Sequence, residues 1–197
     1  MLIKRIFDFI ASLTGLICIA PLLVVVACWV KLDSAGPVFF RQQRIGRHRV
    51  PFYIFKFRTM VVGSEAKSNI TIGSDARITN AGRFLRHYKI DELPQLINVL
   101  LGEMSLVGPR PEVPRYVAYY PKDVGDIVLS VPPGITDWAS IEYKAESELL
   151  GTAANSERTY IEVILPAKLE YYLRYVRERS FLMDLRIIFS TLVAIVH

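Results

Sequence analysis

The sequence predicts an α/β fold: a small mixed α/β domain with a β-hairpin, preceded by a long apolar segment. Three observations lead there. No residue from Phe9 to Val30 is charged. Two β-rich runs, Val38-Phe39-Phe40 and Tyr53-Ile54-Phe55, bracket a basic turn. Further on, apolar residues recur at helical spacing in two stretches separated by rigid, proline-containing loops.

Composition agrees with a local apolar excess. Hydrophobic residues make up 52% of the 197 and mean hydropathy is +0.30, yet 22% are charged, too many for a bundle of membrane helices. The net charge of +5 suits anionic lipid headgroups, nucleotides or nucleic acid. Nucleic acid is not expected, because no zinc-finger spacing, ribonucleoprotein signature or helix-turn-helix with a basic recognition face occurs. Cys18 and Cys28 both lie in the apolar segment, and His48, His87 and His197 are scattered. A disulfide framework, a cysteine-ligated metal and a histidine cluster are therefore excluded, and the remainder of the chain is expected in a reducing, cytoplasmic setting.

The apolar segment divides the chain into residues 1–35 and 36–197. At about 1.5 Å per residue it is long enough to cross a bilayer core. Pro21 interrupts it, and cations flank both ends: Lys4 and Arg5 before, Lys31, Arg41 and Arg44 after. Without charge asymmetry, two topologies stand: a kinked span, and a helix that dips into one leaflet and returns.

Residues 38–58 read as the hairpin, with Ile45-Gly46-Arg47-His48-Arg49 as its turn. Lys56 and Arg58, two apart on a strand, would share a face, either as paired cations for a phosphate or as solvated edge charges. Residues 61–78 read as a loop. A helix is expected from Ala81 to about Tyr88, capped by Asn80. Leu93, Leu96, Ile97, Leu100 and Leu101 then mark one face of an amphipathic helix that begins at Asp91 and ends at Gly102. The prolines of Val107-Gly108-Pro109-Arg110-Pro111-Glu112-Val113-Pro114-Arg115 predict a stiff extended loop, and Val131 to Thr136 a second rigid turn. The stretch between them, residues 115–130, is weakly patterned and expected to be partly helical. Leu169, Tyr172, Leu173 and Val176 predict a helix from Pro166. After Ser180, Phe181 to Val196 forms an apolar helix suited to a membrane interface or to the core.

Asp91 and Glu92 invite two readings. Acidic residues at a helix N-terminus serve as caps. The same place also attracts phosphate, and two carboxylates there would tolerate one if Mg²⁺ intervened. An aspartate beside an electrophilic phosphorus can attack it. Arg110, stiffened between Pro109 and Pro111, is a candidate phosphate ligand, as are Lys56, Arg58 and Arg86.

The segments Lys56-Phe57-Arg58-Thr59-Met60, Ile90-Asp91-Glu92-Leu93-Pro94-Gln95-Leu96-Ile97-Asn98-Val99-Leu100, Gly102-Glu103-Met104-Ser105-Leu106-Val107-Gly108-Pro109-Arg110-Pro111 and Pro133-Gly134-Ile135-Thr136 occur in that order. The combination closely resembles the bacterial sugar transferase family, the monotopic phosphoglycosyl transferases, in their small catalytic-core form. The resemblance runs from about Lys4 to Val196. It implies a re-entrant helix-break-helix in the bacterial inner membrane, amphipathic interfacial helices and a cytoplasmic catalytic domain. It implies Asp91 as the nucleophile that forms a phosphosugar-enzyme intermediate and releases UMP from a UDP-sugar, Glu92 as a Mg²⁺ ligand, and a polyprenyl phosphate lipid as acceptor. Arg86 and Arg110 would bind phosphate or nucleotide.

Two departures accompany it. Ala20 precedes Pro21 where the family usually has serine. Asp137 and Ser140 stand where it commonly has glycine and glutamine. Two other functions share the anchor: a membrane-surface adaptor without chemistry, and a glycosyl transferase releasing UDP. The sugar, the pathway and whether copies associate as a homo-oligomer are not encoded legibly.

Overall fold

A computed structural model describes residues 2–63 and 75–196, with the backbone alone at Val196. Most of the loop expected over 61–78 lies outside the described residues. The rest is a mixed α/β arrangement in which helices surround two small sheets.

The apolar segment forms one helix, α1 (Leu2–Asp33), with Pro21 inside it rather than between two helices. It is long and apolar enough to cross a membrane by length and composition. Its two ends pack on the rest of the chain. Near its start, Arg5 donates to the carbonyls of Val99 and Leu100, and Asp8 accepts from the Ser105 hydroxyl at 2.7 Å. Near its end, Val26 and Val30 are buried with Phe57 and Leu85, and Asp33 accepts from the Ala81 amide. No residue from Leu16 to Leu22 is buried. Both ends therefore rest on the folded body, while the stretch between them, residues 16–22, packs least against it.

The hairpin forms as expected. Strands β1 (Phe39–Ile45) and β2 (Pro51–Phe57) pair antiparallel, with Arg41 opposite Phe55. The turn holds His48 and Arg49 at positive φ. Phe52 and Ile54 pack inward on Val99 and Met104. Helix α2 (Asn80–His87) is capped by Thr79, not Asn80: the Thr79 hydroxyl accepts from the Gly82 amide.

The expected helix from Asp91 begins later. Ile90–Glu92 form a 3₁₀ turn, and α3 (Gln95–Leu101) follows, closed by Gly102 at φ 85°. Its orientation also differs from expectation. The polar Gln95 and Asn98 are buried, whereas Leu101 is 64% exposed and Leu93, Leu96, Ile97 and Leu100 only half-buried. The apolar stripe turns towards α1, where a Cβ on Gly15 would sit 3.5 Å from the Leu96 side chain. Asn98 meanwhile closes the free edge of β2, accepting from the Phe55 amide at 3.0 Å and donating to the Tyr53 carbonyl at 2.9 Å.

Strands β3 (Ser105–Val107) and β4 (Gly134–Thr136) pair in parallel. Helices α4 (Pro114–Val117) and α5 (Lys122–Val128) lie between them. Next come α6 (Trp138–Glu142), α7 (Glu146–Gly151) and α8 (Ser156–Thr159). A π-turn over Tyr160–Ile164 leads into α9 (Leu165–Glu178), which buries Leu169 and Tyr172. The last helix, α10 (Phe181–Val196), starts at Ser180, whose hydroxyl accepts from the Met183 amide. Leu182 and Phe189 on it are 77% and 69% exposed, so much of its apolar surface stays outside the core.

Candidate active site

The 3₁₀ turn between α2 and α3 places Asp91 and Glu92 side by side with different surroundings. Lys89, at φ 55°, makes the tight entry. A left-handed lysine is a backbone strain that surrounding structure must hold in place.

Glu92 sits between two cations. Its Oε1 accepts from Lys56 Nζ at 2.6 Å and from Arg110 Nη2, and its Oε2 accepts from Arg110 Nη1 at 3.1 Å. Burial alone would raise its pKa, but Arg110 and Lys56 together hold it well below the usual glutamate range. Arg110 is correspondingly raised, chiefly by Glu92.

Asp91 is 7% exposed, and its Oδ1 is buried with no hydrogen-bond partner among the described residues. It does not cap a helix. Burial raises its pKa and the Glu92 charge adds to this, while Lys56, Arg86 and Lys89 oppose both. An unpartnered buried carboxylate oxygen is costly unless something binds it. Four residues on, Gln95 Nε2 is likewise buried without a partner.

Arg86 belongs to this group. It donates through Nε to the Thr59 hydroxyl at 2.8 Å, and burial, its largest influence, lowers its pKa against the pull of Asp91. Pro109 and Pro111 stiffen the Arg110 loop as expected, and both carbonyls are held: Pro109 accepts from Gly134 N at 2.9 Å, Pro111 from Arg44 Nη1 at 2.9 Å.

Arg58 goes elsewhere. The strand ends at Phe57, and the Arg58 guanidinium turns to the end of α1, donating to the carbonyls of Val30, Ser34 and Ala35. It braces the exit of α1 instead of joining Lys56. Asp137 and Ser140 are likewise structural neighbours: Asp137 accepts from both the amide and the hydroxyl of Ser140, capping α6.

Thr59, Asn98 and Lys89 hold the site together without having stood out in the sequence. Asn98 carried the one available signal, a polar residue between apolar neighbours on a short helix.

The donor set fits a divalent ion in part. Among the described residues no group of three or more His, Cys, Asp or Glu side chains converges. The Asp91 Oδ1 is one open acceptor, and Glu92 is adjacent though engaged by cations. A site of one or two carboxylates completed by substrate oxygens is the manner in which Mg²⁺ is usually held.

Comparison with known proteins accords with this geometry. Residues 1–197 match the family described as bacterial sugar transferase. The UDP-glucose:undecaprenyl-phosphate glucose-1-phosphate transferase of Xanthomonas campestris pv. campestris is 38% identical over 197 residues, 98% of this chain and 38% of its own length. A UDP-N-acetylgalactosamine-undecaprenyl-phosphate N-acetylgalactosaminephosphotransferase of Aeromonas hydrophila is 36% identical over 193 residues, 96% of this chain and 43% of its own. The uncharacterized sugar transferase EpsL of Bacillus subtilis (strain 168) is 38% identical over 191 residues, 97% of this chain and 86% of its own. The chain thus spans about two fifths of the first two relatives and most of the third. With the match running end to end and through every segment that builds the Asp91–Glu92 site, this chain belongs to the bacterial sugar transferase family.

Proposed function

We propose that this chain is a phosphoglycosyl transferase that moves a sugar-1-phosphate from a UDP-sugar to undecaprenyl phosphate or a related polyprenyl phosphate, releasing UMP, at the cytoplasmic face of a bacterial inner membrane. The relatives' names supply the reaction class. The observation that carries the finer reading is the contrast inside one dyad: Glu92 is locked between Lys56 and Arg110, while Asp91 keeps a buried oxygen unpartnered.

Asp91 is the nucleophile. Its carboxylate oxygen forms a bond to the sugar-bearing phosphorus, the bond from that phosphorus to the bridging oxygen breaks, and UMP leaves with the electron pair. An oxygen of the acceptor phosphate then attacks the same phosphorus, freeing Asp91 and yielding a polyprenyl-diphosphosugar. Lys56, Arg86 and Arg110 surround the dyad with fixed positive charge, so negative charge developing on the phosphate oxygens meets cations already in position. Asp91 and Glu92 would hold a Mg²⁺ ion, which neutralises diphosphate charge when bound.

A panel of UDP-sugars with undecaprenyl phosphate, scored for the released nucleotide, tests this. UMP from at least one donor, abolished by chelator, is expected. UDP would identify a glycosyl transferase, and no nucleotide release from any donor would favour an adaptor.

A further inference from the structure

The hairpin has two unlike faces. Phe52 and Ile54 enter the domain, and Lys56 on that side meets Glu92. The opposite side carries Phe39 and Arg41 from β1 and Tyr53 and Phe55 from β2. Phe39 and Tyr53 are 41% and 49% exposed. The Arg41 guanidinium carbon lies 4.4 Å from the Phe55 ring centre and 5.5 Å from that of Tyr53. Among the described residues no carboxylate pairs with Arg41. The cation rests favourably on the aromatic rings, so the face is an ordered apolar and cationic patch open to solvent, and nothing in the proposed reaction uses it.

This face is continuous with the membrane helix. Phe39 stacks on Phe57 with centroids 5.4 Å apart and planes 20° from parallel. Phe57 is in turn buried against Val26 and Val30 of α1. The last turns of α1 thus cover the Phe57 end of the face and leave the remainder bare beside them. The same stretch of α1 carries Trp29, which meets the exposed Phe84 of α2 at 5.4 Å. Aromatic rings with a polar edge and long cations are the residues that settle at headgroup depth.

We propose that the outer face of the hairpin, formed by Phe39, Arg41, Tyr53 and Phe55, rests on an anionic bilayer surface as a second membrane contact beside α1, with Arg41 engaging lipid phosphates. This rests on the membrane reading of α1 and not on the transfer chemistry.

The test uses the full chain in nanodiscs containing phosphatidylglycerol. An environment-sensitive fluorophore is attached singly, at Tyr53→Cys or at Arg158→Cys on α8, with Cys18 and Cys28 replaced by serine. A third sample keeps Cys18 on α1 as its single label site, with Cys28 replaced by serine. Shallow spin-labelled lipid should quench the probes at positions 53 and 18 several-fold more than the probe at 158. Arg41→Glu should weaken quenching at 53 when phosphatidylglycerol is present and spare the probe at 18. Quenching at 18 but not at 53 overturns the hairpin contact alone; quenching at neither overturns the membrane reading with it. A probe at 53 that responds to UDP, or to protein density per disc, would assign the face to nucleotide or to a second copy and would also refute the proposal. Equal quenching with Arg41→Glu would remove the phosphate role of Arg41.

Discussion

Gly134→Ala is the substitution whose cost the geometry fixes most tightly. A Cβ built on Gly134 would lie 2.1 Å from Gly108 N, 2.4 Å from Gly108 O and 2.7 Å from Gly108 Cα. Ordinary contacts between heavy atoms lie near 3.5 Å, so β3 and β4 would have to separate by roughly 1 Å or more. Three backbone hydrogen bonds cross at this point: Ser105 N to Pro133 O at 2.8 Å, Gly108 N to Thr136 O at 3.1 Å and Gly134 N to Pro109 O at 2.9 Å. At about 0.5–1.5 kcal/mol each, with part of the backbone left buried and unsatisfied, the expected loss is about 3–5 kcal/mol. For a chain of this size that lowers Tm by about 10 °C. The loss should also reach the site, because Pro109 O anchors the Arg110 loop and Arg110 Nη1 lies 3.4 Å from Ile135 O. The assay is thermal unfolding in detergent followed by tryptophan fluorescence, since Trp138 follows β4 closely. Gly15→Ala is the control: its Cβ would meet only the Leu96 side chain at 3.5 Å, inside a helix, and should leave Tm unchanged or raise it slightly. A Gly134→Ala variant that unfolds with the control and turns over normally would refute the close-crossing argument.

Asp91→Asn should abolish nucleotide release while the protein still folds and binds membrane; undiminished turnover would remove Asp91 from the chemistry. Because burial raises the Asp91 pKa and the two cations hold Glu92 low, lowering the pH should protonate Asp91 first. Activity should therefore be lost on the acid side above the pH at which an ordinary aspartate titrates, and before the fold is lost. The stability that Glu92 contributes is present above its unfolded pKa and should fade only at lower pH, as the folded value is crossed. Coincident loss of rate and fold would contradict that order. Asn98→Ala strands the Phe55 amide and the Tyr53 carbonyl and should cost about 2–4 kcal/mol by thermal unfolding, with a Tm within a degree of the parent as the contrary result. Arg58→Met should lower stability yet leave the donor KM of the folded enzyme unchanged, since its guanidinium serves α1; a raised KM would return Arg58 to the phosphate site.

Elements with a strong local signature were readable from the sequence: the hairpin runs, the span of α10, the uncharged core of α1 and the Gly102 stop. Lys56, named as a candidate cation from the strand, and Arg86 and Arg110, which the family resemblance singles out, all stand near Asp91 and Glu92 in the fold, because motif order carries tertiary information that periodicity lacks. Elsewhere local rules gave way to long-range packing. The stripe of Leu93, Leu96, Ile97 and Leu100 predicts a core-facing side for α3, but α1 supplies a second apolar surface, so the stripe turns to it and Asn98 faces inward to close β2. Asp91 fits an N-cap by residue type, yet the chain makes a 3₁₀ turn there and leaves its oxygen unpartnered. Arg58 shares strand parity with Lys56, but parity ends with the strand.

The same contacts make α1 part of the active-site architecture as well as an anchor. The dyad lies on the short turn between α2 and α3, and α1 holds the outer end of each. Asp33 accepts from the Ala81 amide in the first turn of α2, where an anion suits the helix dipole. Arg5 donates to the carbonyls of Val99 and Leu100 in the last turn of α3, where a cation suits it. Both groups come from the charged ends of α1, on either side of its uncharged stretch. The long apolar helix thus grips, through two backbone caps of opposite sign, the pair of helices that present Asp91 and Glu92. On the proposed function, the depth at which α1 settles would set the height of the dyad between a lipid-borne phosphate and a water-borne nucleotide. A soluble fragment lacking α1 would lose both caps along with the Val26 and Val30 contacts to Phe57 and Leu85, so anchoring and catalytic geometry are one structural requirement in this chain.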